Sequence, residues 1–442
     1  MVSGVHIKRL PPFLLLFLLV ISPCHAESVG ESAPELDSEH QRGVSLAREG
    51  RHDEALDVLT ALLEKYPGNY PVERDIVVIT AWKGDCRATV RRHWLIRDYP
   101  DPEPYYVIPV SECMIEVGRI NEAITLLNET QKQWPSEISL ASAYAAAVAR
   151  RDSQYLNALG FEVSTNDSDQ GKREWLWGAR LTRKLADRTH VYARYSVSRS
   201  GFDDLQEGKQ NRIGVGIEYE FPINLVVSQE FSGDIHRGGQ GGSLTSVVFL
   251  PNDLWKLGAS YTSFAEDIPL RAKAQLTEAN HTNIFTDFHT GDYRWSWSAS
   301  ASRYDFSDTN RRRNLLTTLG YAYELESRRE QRVLFEYYQS RNTLDNAVYF
   351  NPSRDKSLTL VHKTDFVLDT RFHRHVDHLY VSAGLYGQQG FGGHGTWGIR
   401  YEQDYDFTDR AALSVGVGYG RKIYDGVSEM QSSLSASFRW LF

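Results

Sequence analysis

Apolar and polar residues alternate strictly in the stretch RIGVGIEYEF, residues 212–221. The odd-numbered positions carry aliphatic or aromatic side chains, whereas the even-numbered ones include Arg212, Glu218 and Glu220. Successive side chains of a β-strand point to opposite faces, so this stretch predicts a strand with one apolar and one polar face.

The same two-faced pattern continues from residue 155 to residue 442. Turn residues divide this region into about sixteen segments, a spacing typical of a transmembrane β-barrel. A soluble β-sandwich also alternates, but its strands are shorter. The mean hydropathy of −0.44 is compatible with a barrel, because lipid-facing and lumen-facing residues alternate, and the aromatic content is high, at 12%. The predicted fold class is therefore α plus transmembrane β, with an antiparallel outer-membrane barrel of about sixteen strands.

Connections between the predicted strands alternate in length, as bacterial outer-membrane barrels require. We expect short periplasmic turns at residues 187–188, 222–223, 251–253, 289–292 and 408–409. We expect longer, polar connections at residues 201–210, 236–242, 265–280 and 341–354. This alternation predicts that both ends of the barrel domain lie in the periplasm of a bacterium.

The last strand ends with aromatic residues at every second position. Phe438, Trp440 and Phe442 lie on one face of the predicted strand. They resemble the C-terminal signal that the outer-membrane assembly machinery recognises, which makes that machinery an expected partner.

The N-terminus has the pattern of a secretory signal peptide over residues 1–26. Lys8 and Arg9 precede an apolar run, residues 10–21, and we expect cleavage after Ala26. The run of about twelve residues is too short for a membrane-spanning helix. A lipoprotein anchored through Cys24 is the alternative, although the preceding proline is unsuited to lipoprotein processing.

Residues 36–154 predict helical repeats of the tetratricopeptide type. Gly50, Gly84 and Gly118 lie 34 residues apart, which is the tetratricopeptide period. An alanine follows each glycine, and a proline follows each alanine twelve positions later: Ala55 and Pro67, Ala88 and Pro100, Ala123 and Pro135. The middle repeat has Arg91, Arg92 and His93 at positions where core residues are expected. Such a stack binds other proteins, and a simple spacer is the alternative.

Cys86 and Cys113 remain in the mature chain, which is expected in an oxidising compartment. A structural disulfide and two free buried thiols are both compatible with the sequence.

The predicted inward face of the barrel is rich in acids and also carries arginines and tyrosines. The candidate residues of a lumenal transport path are Glu218, Glu220, Glu230, Glu324, Glu336, Asp365, Glu402, Asp404, Tyr338 and Tyr380. Rings of charged side chains set what a pore passes. The alternative is that the acids pair with arginines and brace the lumen.

No catalytic constellation is apparent, so we expect a protein without enzymatic activity, cofactor or metal. His373, His375 and His378, with Asp377, have ligand chemistry, but we place them in a solvated periplasmic turn between strands twelve and thirteen. The net charge of −8 argues against a nucleic-acid partner, which requires a basic excess.

Four loop motifs resemble the poly-β-1,6-N-acetyl-D-glucosamine export porin family, the PgaA/HmsH type. They are DIPLRA at 267–272, YDFSD at 304–308, YFNPSRD at 349–355 and YDG at 424–426. The repeat region is shorter than in relatives, so this chain resembles a short-repeat member.

The resemblance implies a passive outer-membrane conduit for a partially deacetylated poly-β-1,6-N-acetylglucosamine exopolysaccharide of the biofilm matrix. It also implies that the periplasmic repeats dock the export or deacetylation machinery, including a periplasmic deacetylase. Ammonium groups on such a polymer would be attracted by an acidic lumen. A porin or receptor for another cargo and a lipid-modifying outer-membrane enzyme are the alternatives.

Overall fold

The computed structural model describes residues 34–98, 103–153, 157–202, 205–236, 240–326, 328–344, 347, 349–369, 374–408 and 410–442. The predicted signal peptide, residues 1–26, lies outside the described residues. Among the described helices, none combines the length and apolar character needed to cross a membrane.

The N-terminal part of the described chain consists of helices arranged as successive hairpins. The helices are α1 Pro34–Arg48, α2 His52–Lys65, α3 Tyr70–Trp82, α4 Cys86–Ile96, α5 Pro104–Glu116, α6 Ile120–Gln133 and α7 Ile138–Ser153. Gly50, Gly84 and Gly118 have φ values of 80°, 84° and 85°, and each lies between the two helices of a hairpin. A residue with a Cβ is strained in this left-handed region, which explains the glycine at each turn. The 34-residue spacing therefore corresponds to a helical repeat.

Small and aliphatic side chains hold these hairpins together. Ala55 and Ala123, the alanines of the first and third repeats, are completely buried. Leu59 and Leu127 lie one turn further along the same helices and are also completely buried. Cys86 of α4 and Cys113 of α5 form a disulfide with a Cα–Cα distance of 4.5 Å. Of the two possibilities that the sequence leaves open, the structure therefore contains the disulfide.

The rest of the chain forms a closed antiparallel barrel of sixteen strands, in which each strand pairs with its sequence neighbours. The strands are β1 Ala158–Ser168, β2 Arg173–Ala186, β3 Thr189–Phe202, β4 Leu205–Phe221, β5 Leu225–Asp234, β6 Gln240–Asn252, β7 Trp255–Thr262, β8 Ala279–His289, β9 Trp295–Phe306, β10 Arg311–Leu325, β11 Arg329–Arg341, β12 Arg354–Asp369, β13 Arg374–Gln388, β14 Gly392–Thr408, β15 Ala411–Tyr424 and β16 Val427–Leu441. A short helix, α8 Leu270–Ala274, lies between β7 and β8. Pairing of β1 with β16 closes the barrel, so none of the described strands has an unpaired edge. The predicted fold class is confirmed.

One predicted loop is wrong. Residues 201–210 were expected to form a long connection, but β3 continues to Phe202 and β4 begins at Leu205. Ser200 pairs with Gly208 and Ser198 with Gln210, so the hairpin extends beyond the apolar band. Polar composition suggested a loop, yet polar residues are equally suited to a strand that leaves the membrane, because its backbone hydrogen bonds are made within the sheet.

The two faces of the strands are those that alternation predicts. On β4, Ile213 and Val215 are 50% and 57% exposed, while the intervening Gly214 is buried inside the barrel. Aromatic pairs cluster near the periplasmic ends of the strands on the outer face. These pairs are Tyr219–Phe221, Trp255–Phe288, Trp295–Tyr321, Tyr405–Phe407 and Trp440–Phe442. Such a girdle is expected where the lipid meets the headgroups.

Candidate functional site: the lumen of the barrel

All eight candidate acids lie on strand faces opposite to the lipid-facing apolar residues. On β4, for example, Glu218 and Glu220 alternate with the exposed Ile217, Tyr219 and Phe221. The inward acids are Glu218 and Glu220 on β4, Glu230 on β5, Glu324 on β10, Glu336 on β11, Asp365 on β12, and Glu402 and Asp404 on β14. Tyr338 of β11 and Tyr380 of β13 face the lumen as well. The structure therefore brings the candidate residues to one continuous inner surface.

Five of these acids are in contact with basic side chains. Glu230 accepts hydrogen bonds of 2.8 and 2.6 Å from Nε and Nη2 of Arg194, and its side chain is only 3% exposed. Asp365 accepts from Lys363 at 2.9 Å and contacts His378 at 2.6 Å. The remaining pairs are Glu324 with Arg329, Glu402 with Arg400, and Asp404 with His378. Pairing that braces the lumen therefore accounts for these five acids.

The other three acids are unpaired within the described part of the chain. Among the described residues, no ion pair or hydrogen bond joins the carboxylates of Glu218, Glu220 or Glu336 to another side chain. Glu218 and Glu220 lie within four residues of the periplasmic end of β4 at Phe221, and Glu336 lies near the middle of β11. Uncompensated negative charge is thus present at the periplasmic entrance and again halfway through the barrel.

The connection between β7 and β8 folds into the barrel. Glu266 of this connection forms ion pairs of 2.8 Å with Arg194 of β3 and Arg212 of β4, both of which face the lumen. Lys273 of α8 is buried and donates to the backbone carbonyl oxygen of Glu266. The helix α8 therefore packs against the inner surface of β3 and β4.

A second connection, between β11 and β12, also folds into the extracellular half of the barrel. Tyr349 packs against Phe306 of β9 at a ring-centroid distance of 5.3 Å. Its hydroxyl donates to Asp308 at 2.9 Å. Tyr349, Phe306 and Tyr304 form a buried apolar cluster with Ile268 and Ala272 of the β7–β8 connection. Two of the connections predicted to be long and polar thus fold inwards and narrow the extracellular half of the barrel.

Free space also lies along the wall opposite α8. A cavity of about 930 Å³ runs along the inner surface of strands β11 to β16. Its lining includes the unpaired Glu336, Tyr338 and Tyr380, together with Tyr386 and Glu402. Aromatic rings beside carboxylates offer stacking surfaces and charge to a polar polymer.

The histidine group lies in a strand and not in the predicted turn. His375, Asp377 and His378 belong to β13, whereas His373 lies outside the described residues. His375 contacts Asp377 on the outer face, and His378 points inward to Asp365 and Asp404. The alternation of the strand therefore separates side chains that are close in sequence. Among the residues that the structure describes, no three potential ligands are grouped to hold a metal ion.

These features define the class of protein as an outer-membrane β-barrel of the porin type, which confirms the predicted location. The chain belongs to the PgaA family, because residues 158–442 match the model of the PgaA membrane beta barrel domain. This match confirms the resemblance that the loop motifs indicate.

Solved structures with a similar fold are outer-membrane barrels. A "Bacterial polysaccharide outer membrane secretin" aligns with a TM-score of 0.60 at 18% identity, over 65% of this chain and 99% of that chain. OccK11 of Pseudomonas aeruginosa aligns with a TM-score of 0.39 at 10% identity, over 65% of this chain and 96% of that chain. No curated protein sequence is significantly similar to this chain.

Proposed function

We propose that the barrel exports a partially deacetylated poly-β-1,6-N-acetylglucosamine chain for the biofilm matrix. The observation that carries this proposal is the set of three inward carboxylates, Glu218, Glu220 and Glu336, which form no ion pair or hydrogen bond with another side chain among the described residues. A chain of sugars with occasional ammonium groups is weakly cationic, so it is attracted at the entrance and again at mid-depth. Attraction through water is screened within about 8 Å at physiological salt, which keeps each contact weak enough for the chain to move on.

Membership of the PgaA family and the similarity to a solved polysaccharide secretin support a polysaccharide cargo. The similar solved protein is described as a polysaccharide secretin, and the cavity beside Tyr338 and Tyr380 has room for sugar rings. The helical repeats would receive the export or deacetylation machinery, including a periplasmic deacetylase. The acids and tyrosines bind the moving chain, and no bond is made or broken.

The decisive experiment neutralises only the unpaired acids. The triple variant Glu218→Gln, Glu220→Gln, Glu336→Gln keeps the shape of each side chain and breaks no ion pair. We expect export of the deacetylated polymer to fall severalfold and polymer to accumulate in the periplasm, with normal barrel abundance. Lumenal substitutions are expected to change selectivity and not folding.

A matched control removes three exposed acids that lie outside both the lumen and the helical repeats: Asp167→Asn, Asp169→Asn and Glu326→Gln. Export should then remain at the wild-type level. Unchanged export in the lumenal triple variant would contradict the cationic-polymer proposal. Loss of a different exported polymer or solute would instead assign another cargo to the same lumen.

A further inference from the structure

The helical domain contacts the barrel at three consecutive periplasmic turns. At the β10–β11 turn, Arg87 pairs with Glu330 at 2.8 Å and Arg91 donates to the carbonyl oxygen of Leu325 at 2.8 Å. These arginines belong to the middle repeat, whose basic residues are unusual for a helical core. Their positions are explained by the barrel turn that they contact.

A buried arginine anchors the domain to the β8–β9 turn. The side chain of Arg119 is 2% exposed and donates to the carbonyl oxygen of Gly291 at 3.2 Å. Its guanidinium lies 5.4 Å from the ring centroid of Trp94 and 5.5 Å from that of Tyr293. The ring of Trp94 lies directly on Gly291, where any Cβ would overlap it.

A residue of the β6–β7 turn caps the N-terminus of α6. Asp253 accepts hydrogen bonds from the backbone N–H of Glu122 and from Nδ2 of Asn121, both at 3.0 Å. Residue Arg119, at the N-cap position of α6, makes no capping hydrogen bond with its own side chain. A carboxylate at a helix N-terminus satisfies free N–H groups and stabilises the helix. The barrel thus supplies a cap that the helix lacks.

The covalent connection enters the barrel on the other side. Strand β1 is eight strands from β9 in either direction, so it lies opposite the contacted turns. Sixteen strands about 4.8 Å apart and tilted by about 40° enclose a barrel about 30 Å wide. From Ser153 at the end of α7 to Ala158 of β1, the chain reaches at most about 18 Å. The end of α7 must therefore project over the mouth of the barrel.

We propose that the helical domain is a fixed cover over the β6–β11 half of the periplasmic mouth. Cargo then enters through the other half, which runs from β12 round through β1 to β5, beside the connection from α7 to β1; we call this the open half. Four acids near the periplasmic rim lie in that half: Glu218, Glu220, Asp365 and Asp404. The lumenal cavity along β11 to β16 continues from the same side. In the covered half, Glu330 is occupied by Arg87 and Arg332.

The first test needs no knowledge of the cargo. Single cysteines are introduced as Glu330→Cys in the covered half and Arg410→Cys in the open half, and both are treated with a bulky poly(ethylene glycol) maleimide. We expect the covered thiol to react more than about tenfold more slowly, because reaction requires an accessible thiolate. Adding Gly291→Leu places a side chain where the ring of Trp94 lies, so it should displace the helical domain from the barrel. Labelling should then become faster at position 330 and stay the same at position 410. Equal labelling rates in the parent chain would overturn the cover.

The second test asks whether the cover must move. Asn121→Cys with Asp253→Cys places one thiol on α6 and one on the β6–β7 turn that it contacts, so that oxidation can join them in a disulfide. Export of the deacetylated glucosamine polymer should be the same before and after oxidation. Failure of the cross-link to form, or loss of export on oxidation with recovery on reduction, would overturn a fixed, docked cover. Wild-type protein treated with the same reagents controls for the Cys86–Cys113 disulfide.

The third test locates the entrance. A bulky maleimide adduct on Arg410→Cys should block export, whereas the unlabelled variant, and wild-type protein treated with the same reagent, should export normally. Normal export with the adduct at position 410 would place the entrance elsewhere. This inference rests on the proposed function only for the export measurements. If the untreated chain exported no such polymer, that function would fail, while the labelling rates would still test the cover.

Discussion

Two glutamates on neighbouring strands have different surroundings in the lumen, one without an ion pair and one paired with arginine. Glu218 of β4 makes no ion pair among the described residues, whereas Glu230 of β5 is held by two hydrogen bonds from Arg194 and is almost completely buried. Removing the charge of Glu218 affects only the field in the lumen. Removing the charge of Glu230 also leaves the partly buried guanidinium of Arg194 with fewer partners.

We therefore predict that Glu230→Gln destabilises the barrel, whereas Glu218→Gln does not. Breaking a buried pair by changing one partner costs about 3–5 kcal/mol, and the cost should be nearer about 2–3 kcal/mol here because Arg194 keeps Glu266. The measurement is the temperature at which folded barrel converts to the slower-migrating form on gels. Equal conversion temperatures for the two variants would show that the Arg194 pair contributes little.

The pKa of His93 predicts a pH dependence of the helical domain. Burial, and secondarily the nearby Arg119 and Arg97, lower the pKa of His93 from 6.5 to about 4. Between these values the unfolded chain binds more protons than the folded one, so stability falls as pH decreases from about 6.5 towards 4. A shift of this size corresponds to about 3 kcal/mol at most.

The check is thermal unfolding of the helices of the full chain in detergent, followed by far-ultraviolet circular dichroism at pH 7 and pH 4.5. His93→Gln retains a hydrogen-bonding side chain near Tyr106 but does not titrate. This variant should lose much less stability between the two pH values than the parent. An identical pH dependence would assign the effect to other groups.

Among the elements, helices α4 and α5 are joined most directly, through the Cys86–Cys113 disulfide. Closing a chain segment with a sequence separation of 27 residues restricts the unfolded state and is worth about 3 kcal/mol. We predict that Cys86→Ala with Cys113→Ala lowers the unfolding temperature of the helices and leaves that of the barrel unchanged. Parallel unfolding of both domains at a lower temperature would show that the two are one cooperative unit.

The β7–β8 connection is the element that most narrows the lumen. We predict that Glu266→Ala weakens its attachment to β3 and β4, because Arg194 and Arg212 lose a common partner. Conductance of the purified protein in planar bilayers should become larger or more variable. Glu278→Ala is the control, because this half-buried residue near the other end of the connection forms no ion pair among the described residues. Identical traces for both variants would mean that other contacts hold the connection in place.

For the whole molecule, the outer and inner faces of one strand should respond oppositely to charge. Val215→Arg places a cation on the lipid face of β4 and should destabilise the barrel by about 2–4 kcal/mol if it lies near the bilayer midplane. Glu218→Arg, three residues further along on the inner face, should leave the folded fraction unchanged. Folding measurements in lipid vesicles distinguish the two. Equal losses would contradict the assignment of faces.

The sequence was sufficient for the barrel and for the helical repeats because both have short periods. Alternation in residues 212–221 specifies which side chains face lipid, since the geometry of a strand imposes a period of two. Gly50, Gly84 and Gly118 mark the helical hairpins because each turn needs a left-handed residue. Both patterns depend only on residues that are close together in the chain, so they can be recognised in a single sequence.

Pairing in the lumen and docking of the helices depend on residues that are distant in the chain. Arg194 and Glu266 are 72 residues apart, and Arg87 and Glu330 are 243 apart. Alternation could place eight acids on the inner face, but it could not show which five were neutralised. The basic residues of the middle repeat were the one available signal of docking. Which contacts form depends on the closure of the barrel and the inward path of its connections, and neither has a local pattern that the sequence displays.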